Sequence, residues 1–215
     1  MATQFPHVQF RSLDVVPVIA HTQRPNFVLK VYDFTEGILL DDGSQDAVFL
    51  HFAMEMVRNY PALLRDVHRV FRPGGPLYIY DYSPFMWDPD DPSIRAAACT
   101  SPALCYQSQI FCEQASTVGI EVNALDKLPE WLAPGSILWD VDTGSSIGLE
   151  RIHTIVRTHP LYPHDGYPYM SLMETRIAPY QQYLVVNMIQ GAFMVLRDIG
   201  MEEKDAEAQL LGVED

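Results

Sequence analysis

The stretch from Asp46 to Tyr82 constrains the fold most strongly, because a strand, a helix, a tight turn and a second strand follow one another there. Residues 46–52 form a continuous apolar run, which predicts a strand buried on both faces, as in a parallel sheet. Leu77–Tyr82 has the β-branched and aromatic content of the second strand. Since a helix separates them, we expect the two strands to be parallel, with a right-handed crossover.

The helix between these strands is the most clearly marked element of the sequence. Asn59 is a suitable N-cap, and Pro61 fits the first turn, where its missing N–H is not needed. Apolar residues then recur at helical spacing with charged residues between them, which predicts an amphipathic helix lying on a sheet. The apolar positions are Leu63, Leu64, Val67, Val70 and Phe71. Residues 73–75, Pro-Gly-Gly, end the helix.

Two further strands are predicted nearer the N-terminus. Residues 7–16 form a strand that Pro17 stops, because proline cannot donate to a strand ladder. Phe27–Tyr32 alternates apolar and polar side chains and is closed by Asp33. Strands that alternate with helices in this way indicate an α/β fold with a parallel sheet.

The second half of the chain contains weaker signals. Leu104–Val118 has a helical spacing of apolar residues, and so does Ile177–Ile199. Ile137–Val141 and Ile152–Val156 are predicted to be strands. The acidic tail, residues 202–215, is helix-prone.

The charge balance excludes several partners. The chain contains 28 acidic and 14 basic residues, a net charge of −14. Such a surface repels phosphate backbones and anionic lipid, so neither a nucleic-acid nor a membrane partner is expected. The start of the chain has no secretory signal. The three cysteines have no zinc-binding spacing, so we expect free thiols, no metal, and a cytoplasmic location with the nucleus left open.

The stretch Leu63–Leu77 resembles the corresponding helix, Pro-Gly-Gly turn and strand of class I S-adenosylmethionine-dependent methyltransferases. Leu13–Pro17, Pro25–Asn26 and Asp33 are similar to motifs of fungal methyltransferases encoded near secondary-metabolism genes. The resemblance covers roughly the whole chain and is strongest over Val8–Tyr82. It implies a Rossmann-like parallel sheet with C-terminal helices, S-adenosyl-L-methionine as cofactor, and methyl transfer to a small-molecule acceptor of secondary metabolism.

The resemblance also implies site residues. Asp14, at the carboxyl end of a strand, would accept hydrogen bonds from the ribose diol, and Asp33 from the adenine amino group. Val15 would pack on the adenine face and Phe34 would flank the ring. His51 is a candidate base for an acceptor hydroxyl. Each has a structural alternative, since strand-end aspartates often close turns, Val15 fits a core, and many methyl transfers need no base.

One expected motif has no counterpart in the sequence. Class I methyltransferases hold the methionine part of the cofactor with a glycine-rich loop after the first strand, and nothing before Asp14 supplies it. We therefore expect a single domain over residues 1–215, N-terminally truncated, with the first strand and helix absent. Residues 1–82 would form the nucleoside-binding sheet core and residues 83–215 the acceptor side and helical part.

Three interpretations of this absence remain open. The chain is a shortened methyltransferase, a catalytically inactive methyltransferase-like binding protein, or a permuted enzyme in which Ile137–Glu150 supplies the strand and loop. In the second case a partner in a homo- or hetero-oligomer, or a rearranged sheet, would fill the gap.

Overall fold

The computed structural model describes residues 1–16, 24–54, 57–85, 102–139, 147–156 and Tyr180. The chain divides into two compact units, residues 1–81 with 130–150 and residues 82–129 with 151–215. Within the described ranges, no helix has both the length and the apolar character that crossing a membrane requires. The predicted helix 177–199, apart from Tyr180, and the acidic tail lie outside these ranges.

The first sheet of the N-terminal unit is a parallel pair of strands. Strand β1 (Phe10–Asp14) pairs with β2 (Phe27–Val31), and the register places Asp14 opposite Val31. Both predicted strands are confirmed with shorter bounds. Asn26, just before β2, is buried, and its side-chain amide donates to three backbone carbonyls of the N-terminal segment. These belong to Ala2, Phe5 and Val8, at 3.1, 3.1 and 2.9 Å.

The second sheet is the predicted crossover unit. Strand β3 (Val48–His51) leads through helix α1 (Tyr60–Val70) to strand β4 (Leu77–Tyr80), and the two strands are parallel. Within the described part of the chain the two parallel pairs are separate two-stranded sheets. The prediction that β3 is buried on both faces is wrong, because its side chains alternate between half-buried and exposed. Phe49 and His51 lie on the exposed face.

Helix α1 begins where the sequence predicts. The side chain of Asn59 accepts a hydrogen bond from the Ala62 amide at 3.1 Å, and Pro61 occupies the first turn. Five side chains on one face are buried: Tyr60, Leu63, Leu64, Val67 and Val70. The burial of this apolar face, more than helix propensity, stabilises an 11-residue helix.

The turn after α1 explains the paired glycines of the sequence. Gly74 has a φ of 82°, which favours glycine over residues with a side chain. At Gly75, an added Cβ would lie 2.7 Å from the backbone oxygen of Asp46. The turn therefore packs directly against the backbone that enters β3.

Two arginines of α1 and its C-terminal end hold the segment that leads from the first sheet to β3. The Arg69 guanidinium donates to the carbonyls of Ile38 and Leu40 at 2.7 and 2.9 Å, and to the carboxylates of Asp42 and Asp66, both at 2.6 Å. The second oxygen of Asp66 accepts from the Ile38 amide. Beside this cluster, the side chain of Arg72 bonds to the Gly43 carbonyl and the Asp46 carboxylate.

Among the described residues, two helices follow the second sheet. Helix α2 (Pro102–Thr117) confirms the helix predicted at Leu104–Val118. Residues of this helix contribute to a small apolar cluster in the second unit, formed by Cys112, Ala115 and Val122 with Phe85, Phe111 and Ile120. Helix α3 (Ala124–Leu132) contains Pro129 and was not predicted from the sequence.

The strand predicted at Ile137–Val141 is wrong over its described part, because residues 137–139 form a turn. The reason is local packing. The Trp139 indole N–H donates to the Ala133 carbonyl at 3.0 Å, and its ring lies 4.7 Å from the ring of His68 on α1. The turn therefore buries Leu138 and Trp139 without strand pairing, while Ile137 stays exposed.

The strand predicted at Ile152–Val156 is also wrong. These residues belong to no strand, and Ile155 and Val156 are 78% and 74% exposed. An apolar run indicates a strand only when a neighbouring strand pairs with it, and none of the described strands does.

We predict that Arg69→Met lowers the free energy of unfolding by about 2 kcal/mol, because it leaves two carboxylates and two carbonyls without their charged donor. Urea unfolding measures this change. Arg58→Met is the matched control, since Arg58 is exposed and the change there should stay within about 0.5 kcal/mol. Equal stability of the Arg69 and Arg58 variants would contradict the prediction.

His68 should make stability depend on pH. Partial burial lowers the pKa of His68 below its ordinary value, so the unfolded chain binds more protons. The contribution of His68 to the free energy of unfolding is fully present above the pKa of the unfolded chain, about 6.5, and is lost as the pH falls below that value. His68→Phe keeps the ring contacts and should flatten the difference between about pH 7.5 and about pH 5.5 in urea unfolding. His7→Phe, at an exposed position, should retain the wild-type slope.

Candidate functional site

The first half of the candidate site lies at the carboxyl end of the first sheet. Asp14 is the last residue of β1, and its carbonyl accepts a hydrogen bond from the Tyr32 amide at 3.0 Å. Asp33 follows Tyr32 directly, so the parallel register brings the two aspartates to the same sheet edge. Ligands of open α/β sheets bind beyond the carboxyl ends of the strands, which is where both lie.

The carboxylate of Asp14 closes a local turn. Its Oδ1 accepts a hydrogen bond from the Val16 amide at 3.1 Å, as in an Asx turn. Oδ2 receives no hydrogen bond from the described residues and can serve as an acceptor for a ligand. Asp14 and Val15 are both half-buried, so an apolar surface lies next to the carboxylate.

Asp33 is exposed and caps the short 3₁₀ helix Phe34–Glu36. Its Oδ1 accepts from the Thr35 hydroxyl at 2.6 Å and from the Thr35 amide at 3.0 Å. The bond from the Thr35 hydroxyl, and to a smaller extent the bond from the Thr35 amide, hold the pKa of Asp33 below its ordinary value. The carboxylate is therefore ionised at neutral pH, with the half-buried Phe34 ring as its neighbour in sequence.

His51 ends β3, at the carboxyl end of the second sheet. Its ring is exposed and lies between the rings of Tyr78 and Tyr80, at centroid distances of 6.1 and 5.9 Å. An exposed imidazole at a strand end can exchange a proton with a bound molecule. The sequence predicted this position, but not the aromatic neighbours.

Phe52, the next residue, has an unusual backbone conformation. Its φ is 51°, a region that costs residues with a side chain about 1–2 kcal/mol. The Phe52 amide still donates to the Tyr80 carbonyl at 3.0 Å, so the ladder continues through it. Its ring is 51% exposed and meets the Tyr80 ring edge-on at 5.3 Å.

Asp81 fixes the turn that follows Phe52. A single carboxylate oxygen of Asp81 accepts from the amides of Ala53 and Met54, at 3.0 and 2.9 Å. Burial, and secondarily the Asp81 charge, raise the pKa of Tyr60 well above its usual range, so its hydroxyl stays protonated. That hydroxyl is buried and has no hydrogen-bond partner within the structure described here.

Sequence reasoning placed Phe52 with His51 at a strand end but gave it no role, and it did not identify Tyr60 or Asp81. Asp81 lay inside the predicted strand 77–82, whereas in the structure it directly follows β4. The conformation of Phe52 leaves no mark in the sequence, since the residue is neither glycine nor asparagine.

The structure thus groups the predicted residues into two sets. Asp14, Val15, Asp33 and Phe34 lie together at the edge of the first sheet, and the contacts of His51 lie within the second. Their roles stay predictions. In the described ranges no three or more His, Cys, Asp or Glu side chains form a group that could hold a metal ion.

Comparison with known proteins gives one match. Residues 12–79 match the model of a family described as a methyltransferase domain. The match runs from β1 to β4 and supports a class I methyltransferase, a Rossmann-like α/β fold and methyl transfer in general. Members of this family typically use S-adenosylmethionine. No curated protein and no solved structure matches the chain.

We predict that Phe52→Asn raises the free energy of unfolding by about 1 kcal/mol, because asparagine tolerates a positive φ and phenylalanine does not. His51→Asn is the matched control, since this neighbouring exposed residue has an ordinary φ and no strain to relieve. Urea unfolding of both variants measures the two changes in the free energy of unfolding. An equal loss of stability in both would show that Phe52 is not strained.

Proposed function

We propose that the protein catalyses S-adenosylmethionine-dependent methyl transfer to a small-molecule acceptor. The observation that supports this most directly is the pair of aspartates, Asp14 and Asp33, at adjacent strand ends within the segment that matches the methyltransferase family. The similarity to fungal enzymes favours an acceptor from secondary metabolism, and the charge and cysteine pattern favour a cytoplasmic location.

The donor set at the first sheet fits a nucleoside. Asp14 has one carboxylate oxygen bonded to the Val16 amide, which orients the group, and a second oxygen to accept from a ribose diol. Asp33 is ionised and can accept from the adenine amino group. Val15 and Phe34, both half-buried, provide apolar surface for the base. An uncharged donor such as a hydroxyl or amine bonds more strongly to a carboxylate than to a neutral acceptor.

When bound, the cofactor would supply an electrophilic sulfonium methyl group. The acceptor's nucleophile needs to be held against that carbon and relieved of its proton. His51 is exposed at the carboxyl end of β3 and is the residue we assign to accept the proton. Asp81 positions the following turn, and so the chain around His51, through the amides of Ala53 and Met54.

A further part of the proposal concerns the sheet. The backbone of β1 at Arg11 and Leu13, and of β3 at Phe49 and His51, points away from the paired strand. These edges face no strand among the described elements. A strand from a second copy or another protein that pairs with them would complete a single sheet.

The second candidate function is a methyltransferase-like binding protein without catalysis. The observation in its favour is that both aspartates already serve their own turns, since Asp14 bonds to Val16 and Asp33 to Thr35. Such turns are also made by aspartates that bind nothing.

Calorimetry with S-adenosylhomocysteine tests the cofactor binding that the enzyme proposal requires. We expect binding to the wild type, and a loss of about tenfold or more in Asp14→Asn, which keeps the shape but removes the charge. Asp41→Asn, at an exposed turn residue away from the strand ends, should change the Kd less than about twofold. No heat at about 1 mM ligand would contradict the enzyme proposal. Binding without methylation would favour the binding protein.

A further inference from the structure

One exposed surface of the second sheet consists of aromatic rings. Tyr78 and Tyr80 on β4, and Phe49, His51 and Phe52 at β3 and its end, form this aromatic face. Neighbouring rings lie 5.3–6.1 Å apart, at interplanar angles from 50° to 72°. The four rings of Phe and Tyr are about half exposed, from 48% to 51%. Exposed apolar surfaces occur at ligand-binding grooves as well as at protein interfaces.

Phe52 joins this face at a cost. Side chains of a regular strand alternate between faces, so the residue after His51 would point to the opposite side. The φ of 51° interrupts that alternation, and the ring lies against Tyr80. The chain therefore keeps an exposed apolar ring on a strained backbone. Asp81 holds the turn that follows by accepting from the amides of Ala53 and Met54. Strain that the surroundings maintain is typical of binding sites.

We propose that the aromatic face binds a planar aromatic small molecule, and that this molecule is the methyl acceptor. The tilted rings offer both faces and edges for offset or edge-to-face packing with a flat ring. None of the five residues carries a carboxylate or an ammonium group. Two tyrosine hydroxyls and the His51 imidazole can bond to a phenol. The identity of the ligand as acceptor depends on the proposed function, but its binding does not.

The size of the face favours a small molecule over a protein. The face is two strands wide and about four residues long, which corresponds to roughly 10 Å by about 13 Å. A standard protein interface buries about 800 Å² on each partner, several times this area. A ring system of two fused rings matches it. The face also adjoins the carboxyl ends of β3 and β4, where ligands of parallel sheets bind.

Calorimetry with 2-naphthol tests the proposal. We expect wild-type protein to bind 2-naphthol with a Kd below about 1 mM, and trans-2-decalol, which has the same skeleton but no aromatic ring, at least about threefold more weakly. Phe52→Leu and Tyr80→Leu should each weaken 2-naphthol binding about threefold to tenfold. Phe5→Leu removes a similarly exposed ring elsewhere, 46% exposed, and should leave it unchanged.

Three calorimetric results would each overturn the proposal. The first is no binding of 2-naphthol, and the second is equal affinity for 2-naphthol and trans-2-decalol. The third is an unchanged affinity for 2-naphthol in both Leu variants. Sedimentation velocity provides a third criterion, since self-association of the wild type that both variants lose would assign the face to a second copy. S-adenosylhomocysteine is titrated into the same samples. Failure of the protein to bind this ligand and failure to bind 2-naphthol are then measured separately.

Discussion

The interaction on which the N-terminal unit depends is the contact between the Arg69 guanidinium and the segment that joins the two sheets. That segment crosses from β2 to β3 without strand pairing of its own, apart from a bridge between Gln45 and Phe71. Arg69 gathers its carbonyls and two carboxylates with one planar group, which a lysine ammonium could not do in the same geometry. Because Arg69 lies on α1, this one side chain ties the segment that precedes β3 to the helix that follows it.

The sequence predicted the crossover unit well because its signals were local. The Asn59 cap, the apolar spacing of α1 and the turn at Gly74 each act within a few residues. Burial could not be predicted in the same way. Phe49 belongs to an apolar run, yet its ring is 49% exposed, because exposure depends on what covers the strand and not on the strand itself. Likewise the ring of Trp139 contacts the ring of His68, which lies on α1 and is far from Trp139 in the sequence.

Within the candidate site, too, some features were predicted from the sequence and others depend on contacts between distant parts of the chain. The resemblance to methyltransferases implies Asp14 and Asp33 as site residues, and the parallel register of β1 and β2 brings these two residues to the same sheet edge, while their roles stay predictions. The interaction of Asp81 with Ala53 and Met54 joins residues 27 and 28 positions apart, so no local pattern announces it. The burial of the Tyr60 hydroxyl is a property of packing alone.

The two strand ends differ in the energy of their turns, and this difference bears on their roles. At the first sheet, the turns of Asp14 and Asp33 are relaxed and held by bonds to neighbouring residues. At the second sheet, Phe52 has a positive φ and depends on Asp81 to hold the turn after it. A nucleoside needs only acceptors at a fixed edge, which relaxed turns provide. An acceptor molecule needs a shaped surface, and the rotated Phe52 ring, at the expense of local strain, supplies part of it.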